Sequence, residues 1–364
     1  MNTDFDFTSS FAEEDTEFHE ARESVFDLYG LYKPRELPEY RRLPADVAAR
    51  TSNSVFSLSA NTAGGRLRFA TDSPYVIIRA EMPESADMDH FARTGSSAFD
   101  IYEKNGARYV YHDTFRPCLG SFNGGYEGRS NFPTRRRREI MLHFPTYSNV
   151  EKLYIGVKKG SLLENGEPYK YRTPVVYYGS SITQGACASR PGNAYESIIS
   201  VDYDCDFINL GFSGSALAED AITDYINTLE MSVFVMDYDH NAPNAAHLER
   251  THEQFFKKLR ATHPTLPIIL ISRPTFEEGY GGPQAYGVSE FPPDNDILRC
   301  RAVVFRTYMN ALDAGDGNVA FIDGASLFNG PHADLCTVDG THPNDAGFLR
   351  MADRIGEVVG RFLG

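Results

Sequence analysis

The hydrophobic rhythm of this chain changes once, across residues 158–174, and that change decides what it can fold into. Ahead of it, short runs alternate apolar and polar residues between turn signals. Residues 66–70 follow Gly64 and Gly65, residues 75–80 follow a turn at 71–74, and residues 99–103 lead through Asn105 and Gly106 into 108–111. Two further runs cover 139–144 and 150–157. A period of two puts alternate side chains on opposite faces, and this spacing predicts an antiparallel β-sandwich.

The segment 158–174 is rich in glycine, proline and charge, as a linker or returning loop is. Beyond it, apolar runs at 175–178, 207–210, 233–236, 268–271 and 319–322 are separated by longer stretches. Residues 247–262 and 296–312 carry helical periodicity, and 343–363 opens with a proline at a helix start. Apolar strands alternating with helices predict a parallel sheet covered on both faces. The expected organisation is an acidic tail over 1–22 (loose, or one short helix), a β-sandwich domain over 23–165, and an α/β domain over 166–364.

Charge narrows the function. Thirty-five basic against 50 acidic residues give a net charge of −15, a surface that repels phosphate backbones and anionic lipid. No nucleic-acid or membrane partner is therefore expected, and a neutral substrate fits better. Four consecutive arginines, Arg135, Arg136, Arg137 and Arg138, run against that balance. Glu139 and the apolar Ile140, Met141 and Leu142 follow at once, so the run reads as a charged strand edge or turn. The five cysteines are scattered with no CxxC pair, which argues against a disulfide framework and a structural zinc site. The N-terminus lacks a charged-then-apolar leader and no run reaches transmembrane length, so a cytoplasmic location is expected.

In a parallel sheet of this kind the working residues gather at the carboxyl ends of the strands. Gly179, Ser180 and Ser181 leave the first strand, where a following turn aims backbone N–H groups at a developing alkoxide or oxyanion. Taken alone, such a stretch is better explained by a hydroxyl-capped turn. A serine needs a base, and Asp339 and His342, three apart in a turn before the last helix, supply an imidazole and a carboxylate to hold its tautomer. Oxyanion donors are offered by Gly214, which a plain turn also explains, and by Asn241 or its rival Asn244, either of which a helix cap also explains. Two competing patterns stand beside these. Residues 211–215 come one glycine short of the GxSxG elbow, whose fold separates acid and histidine widely. Asp237, Asp239, His240 and Asn241 are dense in ligand atoms, as in a metallophosphoesterase, but lack a partner cluster of histidines.

The blocks GSSITQG, NLGFSGSA, DYDHNA and VDGTHPND, in this order, resemble those of the SGNH (GDSL-like) hydrolase superfamily, and GGRLRFATDS resembles the sandwich of its two-domain bacterial members. The resemblance covers about residue 25 to the end. It implies a flavodoxin-like three-layer α/β/α domain and metal-independent ester hydrolysis without a cofactor. It makes Ser181 the nucleophile, His342 the base and Asp339 its orienting acid, with Ser181 N–H, Gly214 N–H and the Asn241 amide as oxyanion donors. Ser180 stands where the family carries an aspartate, and DYDHNA replaces the usual GxND, which leaves Asn241 and Asn244 both open. The expected substrate is a small-molecule or carbohydrate ester, with a carbohydrate acetyl ester foremost. A glycan-binding protein with a vestigial hydrolase domain, using Tyr75, Tyr102, Tyr109 and Tyr111, is the alternative from another class. Residues 274–294 are expected to shape the acyl or sugar pocket.

Overall fold

The computed structural model describes residues 9–83, 85–117, 124–274 and 296–364. Two antiparallel sheets make the N-terminal part. One runs β1 (Thr16–Glu20), β9 (Lys152–Lys158), β4 (Tyr75–Glu81) and β7 (Gly125–Asn131). The other runs β10 (Leu163–Asn165), β3 (Arg66–Thr71), β8 (Arg138–His143), β5 (Phe99–Asn105) and β6 (Arg108–Phe115), with β2 (Asp27–Tyr29) also paired to β3. Leu67, Phe69, Val76, Ile78, Ile101, Ile140, Leu142 and Ile155 interdigitate between the sheets as a buried core, the sandwich that the period-two pattern predicts.

One sequence expectation changes here. Residues 16–20, expected within a loose tail or short helix, form edge strand β1 on β9. Gly156 makes room for it, since a Cβ there would stand 2.8 Å from the Phe18 ring. An edge strand tolerates the polar residues that surround Phe18, so no alternation marks it in the sequence. The arginine run lies in the turn leading into β8, an interior strand: Arg135 pairs with Asp72, Arg136 with Glu103, and Arg137 with Glu139, while Arg138 opens the strand and is buried.

The C-terminal part is a five-stranded parallel sheet in the order β12 (Cys205–Gly211), β11 (Tyr171–Gly179), β13 (Val233–Asp237), β14 (Ile268–Ile271) and β15 (Val319–Ile322). Helices α6 (Asp220–Ile226), α7 (Ala245–Thr262) and α8 (Asp296–Asp313) cover one face, packing Leu248, Phe255, Cys300 and Val304 on Val176, Tyr178, Phe234 and Leu270. Helices α5 (Tyr195–Tyr203) and α9 (Asp345–Leu363) cover the other with Ile199, Phe348, Met351 and Ile355. This is a flavodoxin-like α/β/α sandwich. The chain reverses its direction of travel across the sheet at β11 and β13, and the crevice beyond their carboxyl ends is where such folds bind ligands.

Two short helices between β2 and β3, α1 (Ala45–Thr51) and α2 (Asn53–Leu58), bury Val47 and Val55 in the α6–α8 core instead of in the sandwich. The outer face of β3 is likewise covered. Arg66 and Arg68 are buried there, Arg66 pairing with Asp206 and Arg68 with Asp204 at 3.1 Å, beside the first residues of β12. The alternation of 66–70 thus separates the sandwich core from a domain interface, not from solvent. Among the described residues no helix is long and apolar enough to cross a membrane.

Candidate active site

β11 ends at Gly179, and the chain turns immediately into the single-turn helix α4 (Ser181–Gln184). Ser180 caps that turn, its hydroxyl accepting the Ile182 N–H at 3.1 Å, so the residue in the aspartate position of the family motif has a local job. Gly179 has no room for a side chain: a Cβ would sit 2.1 Å from Thr183 Oγ1. Capped and wedged in this way, the turn holds Ser181 at the strand end, 6% exposed.

From the far end of the chain, the loop before α9 returns to the same spot. Ser181 Oγ lies 3.0 Å from His342 Nε2. His342 Nδ1 lies 2.7 Å from Asp339 Oδ2, while Asp339 Oδ1 accepts the N–H groups of Thr341 and His342 at 2.9 and 2.7 Å. Partial burial alone would raise the Asp339 carboxyl, but the hydrogen bonds from His342 and Thr341 hold it below the ordinary range. It therefore stays ionised and fixes the tautomer in which Nε2 carries the lone pair facing Ser181.

The loop after β12 forms the adjoining wall. Ser215 N–H donates to Phe212 O at 2.9 Å and closes a turn in which Gly214 adopts φ +64. A Cβ on Gly214 would meet nothing within 4 Å, so the glycine serves the left-handed backbone and not a steric need. Asn241, beyond β13, accepts the Ala216 N–H at 3.1 Å through Oδ1 and so lies against this loop. Asn244 caps α7, accepting the His247 N–H at 2.9 Å. The two asparagines left open by the sequence thus occupy different places, and only Asn241 faces the loop that carries Gly214.

The carboxylates considered as metal ligands are engaged separately. Asp237 is fully buried against the Thr183 and Tyr195 hydroxyls, at 3.2 and 3.3 Å, and burial lifts its carboxyl to about 7 despite those bonds. Asp239 is clamped by Arg273 through both backbone and guanidinium. Burial, with the nearby Arg273 and His342, depresses His240 to about 3 and keeps it neutral.

Several supporting residues were not found from sequence. Gln184 ties three segments together: its Oε1 accepts the Ser213 N–H at 3.0 Å, and its Nε2 donates to Asn61 Oδ1 at 3.1 Å and Thr146 O at 3.3 Å. Tyr147, from the sandwich side, donates to the Ser181 carbonyl at 3.3 Å. Arg42 is buried and donates to the carbonyls of Leu58, Asn61, Asn209 and Gly211, with Gly211 O at 2.6 Å. Gln184 lies inside the GSSITQG block, which carries no signal for its role, and Arg42 and Tyr147 reach the site only through tertiary contact. Of the tyrosines weighed for glycan binding, Tyr75, Tyr102 and Tyr109 are buried and Tyr111 is 43% exposed. Residues 275–294, expected to shape a pocket, lie outside the described residues.

Fold and strand-end geometry together define an α/β/α domain, with Ser181, His342 and Asp339 gathered at its strand ends, behind an antiparallel sandwich. The profile of the GDSL-like lipase/acylhydrolase family matches residues 172–360, and that of the N-terminus of SGNH-hydrolase-type esterases matches 16–163. The chain belongs to the GDSL-like lipase/acylhydrolase family and is an SGNH-type esterase. Among solved structures it is similar to a protein from Bacteroides ovatus named as a GDSL-like lipase, at 26% identity and TM-score 0.83, over 96% of this chain and 98% of that one. It is also similar to the salicylyl acyltransferase SsfX3 of a tetracycline biosynthetic pathway, at 19% identity and TM-score 0.75, over 96% and 99%. A family two carbohydrate esterase from Cellvibrio japonicus shares the fold at 10% identity and TM-score 0.59, over 96% and 98%. No curated protein sequence matches.

Proposed function

We propose that this esterase removes an acetyl or similarly small acyl group from a carbohydrate through an acyl-enzyme on Ser181. The observation that carries the chemistry is the hydrogen-bonded relay Ser181–His342–Asp339, at 3.0 and 2.7 Å. In the first half-reaction His342 Nε2 takes the Ser181 proton as Oγ attacks the ester carbonyl. The tetrahedral oxyanion is met by Ser181 N–H, Gly214 N–H and the Asn241 amide nitrogen, whose carbonyl partner is already engaged with Ala216. Collapse breaks the ester C–O bond, and His342 passes its proton to the departing sugar hydroxyl. In the second half-reaction His342 takes a proton from water, hydroxide attacks the acyl-serine, and Ser181 leaves with that proton as the carboxylic acid is released. No step requires a metal or cofactor.

The carbohydrate part draws support from the fold relatives. The Cellvibrio protein is a carbohydrate esterase, and a family two carbohydrate esterase from Clostridium thermocellum, 12% identical with TM-score 0.56, is in complex with cellohexaose. The net charge of −15 favours a neutral substrate in the same direction. Acetate release from a panel of acetylated sugars, set against p-nitrophenyl esters of increasing acyl length, tests both parts. We expect acetyl esters to be cleaved faster than longer acyl esters, acetate to be released from at least one sugar, and Ser181→Ala to abolish both. Parental rates in Ser181→Ala would end the proposal.

A further inference from the structure

Three side chains that ester hydrolysis does not use together meet beside Ser181. His90, Cys187 and His342 each offer one ligand atom, and these atoms all lie within 4.8 Å of one another. They come from three distant segments: the stretch before α3 (Arg93–Ser96) on the sandwich side, the turn after α4, and the loop before α9. Cys187 adopts φ +70, a left-handed backbone that a residue with a side chain rarely takes. Its thiol donates to the His90 carbonyl at 3.5 Å, and the His90 ring lies 5.4 Å from the His342 ring.

Two imidazoles and a thiolate are a donor set suited to Zn2+, which leaves a fourth position for water. Bond lengths of about 2.0–2.1 Å to nitrogen and 2.3 Å to sulfur set tetrahedral donors roughly 3.3–3.8 Å apart. The cluster is therefore about 1 Å from a liganded geometry, and His90, being exposed, has space to close the difference. His342 is already prepared as a ligand. Ligating histidines commonly hold their second ring N–H on a carboxylate, and Asp339 does this at 2.7 Å, leaving the Nε2 lone pair for a cation.

We propose that His90, Cys187 and His342 form a Zn2+ site whose occupation withdraws His342 from Ser181 and switches hydrolysis off. One lone pair on Nε2 cannot both bind the cation and accept the serine proton. Zinc remains divalent throughout, and the Cys187 thiol proton passes to solvent as the Zn–S bond forms. The inhibitory half rests on the proposed hydrolysis, whereas the binding half does not.

Calorimetric titration of the metal-free full-length protein with ZnCl2, run beside p-nitrophenyl acetate hydrolysis, tests both halves. We expect one equivalent bound, hydrolysis reduced at least about tenfold at saturation, and recovery on adding EDTA. Cys187→Ser and His90→Ala should each weaken zinc binding at least about tenfold. Cys187→Ser should keep the metal-free rate and melting temperature, which separates a lost ligand from a lost fold. Unchanged zinc affinity in both variants, or no stoichiometric uptake by the parent, overturns the site. Uptake of one zinc with full activity retained overturns the switch. Uptake of one zinc by a parent that hydrolyses no ester upholds the site, and removes the switch together with the hydrolase.

Discussion

Asp339 grips His342 at two points: Oδ1 accepts its backbone N–H at 2.7 Å, and Oδ2 faces ring Nδ1 at 2.7 Å. Both contacts lie within one tight turn, so the carboxylate sets the position of the imidazole and its tautomer at once. In Asp339→Asn an amide nitrogen facing Nδ1 favours the tautomer that protonates Nε2. We expect kcat on p-nitrophenyl acetate to fall by about 10³–10⁴-fold with little change in KM. A loss below about tenfold would mean that the carboxylate does not orient the imidazole.

The two asparagines should separate cleanly. Asn241 rests against the Gly214 loop and Asn244 caps α7. Asn241→Ala is predicted to reduce kcat by roughly 10²–10³-fold with the melting temperature nearly kept. Asn244→Ala is predicted to cost about 1 kcal/mol of stability and to leave kcat close to parental. Steady-state kinetics and thermal unfolding of the two variants check this, and the reverse pattern would move the oxyanion role to Asn244.

Asp237 should make stability depend on pH. Burial raises its carboxyl from 3.8 to about 7, so the folded state holds the proton more tightly than the unfolded state. Its contribution is fully present below about pH 4 and is lost as pH rises through about 7. Asp237→Asn keeps an acceptor for Thr183 and Tyr195 but carries no titrating proton. Between about pH 5 and 7 its unfolding free energy should fall less steeply than the parent's, by up to roughly 1.4 kcal/mol per pH unit. Asp100, also raised to about 7 by burial, is left to titrate in both proteins. Urea unfolding across this range measures the difference, and parallel curves would contradict the assignment.

Arg42 joins the domains beneath the Gly214 loop. Burial lowers its guanidinium to about 9, yet it donates to four carbonyls, including those of Asn209 and Gly211 at the end of β12. Arg42→Met removes the donors from these carbonyls, of which Leu58 O keeps the Asn61 N–H at 3.1 Å. A destabilisation of about 3 kcal/mol or more is expected by urea unfolding. A loss under about 1 kcal/mol would show that water replaces the side chain.

What the sequence made legible follows from locality. The parallel strands are short apolar runs, and β12, β13, β14 and β15 fall where those runs lie. The DxxH turn encodes its own geometry, because Asp339 and His342 are three residues apart and share one backbone turn. Ser181 was approachable because strand ends collect functional groups whatever the distance along the chain. Strand β1 was not, since one Phe18 among charged neighbours gives no alternation to read. Arg66 and Arg68 look like an exposed strand face in sequence, and only the neighbouring β12 segment with Asp204 and Asp206 reveals a buried one. Gln184, Tyr147 and Arg42 act across separations that no local pattern encodes.

The claim on which the account stands is that the hydroxyl of Ser181 is activated by His342. Reaction with a fluorophosphonate probe, followed by peptide mass spectrometry and timed in parent and His342→Ala, measures that directly. The account predicts a single modified residue, Ser181, and labelling at least about 10³-fold slower without the imidazole. Modification at another residue, or equal rates in the two proteins, would contradict it.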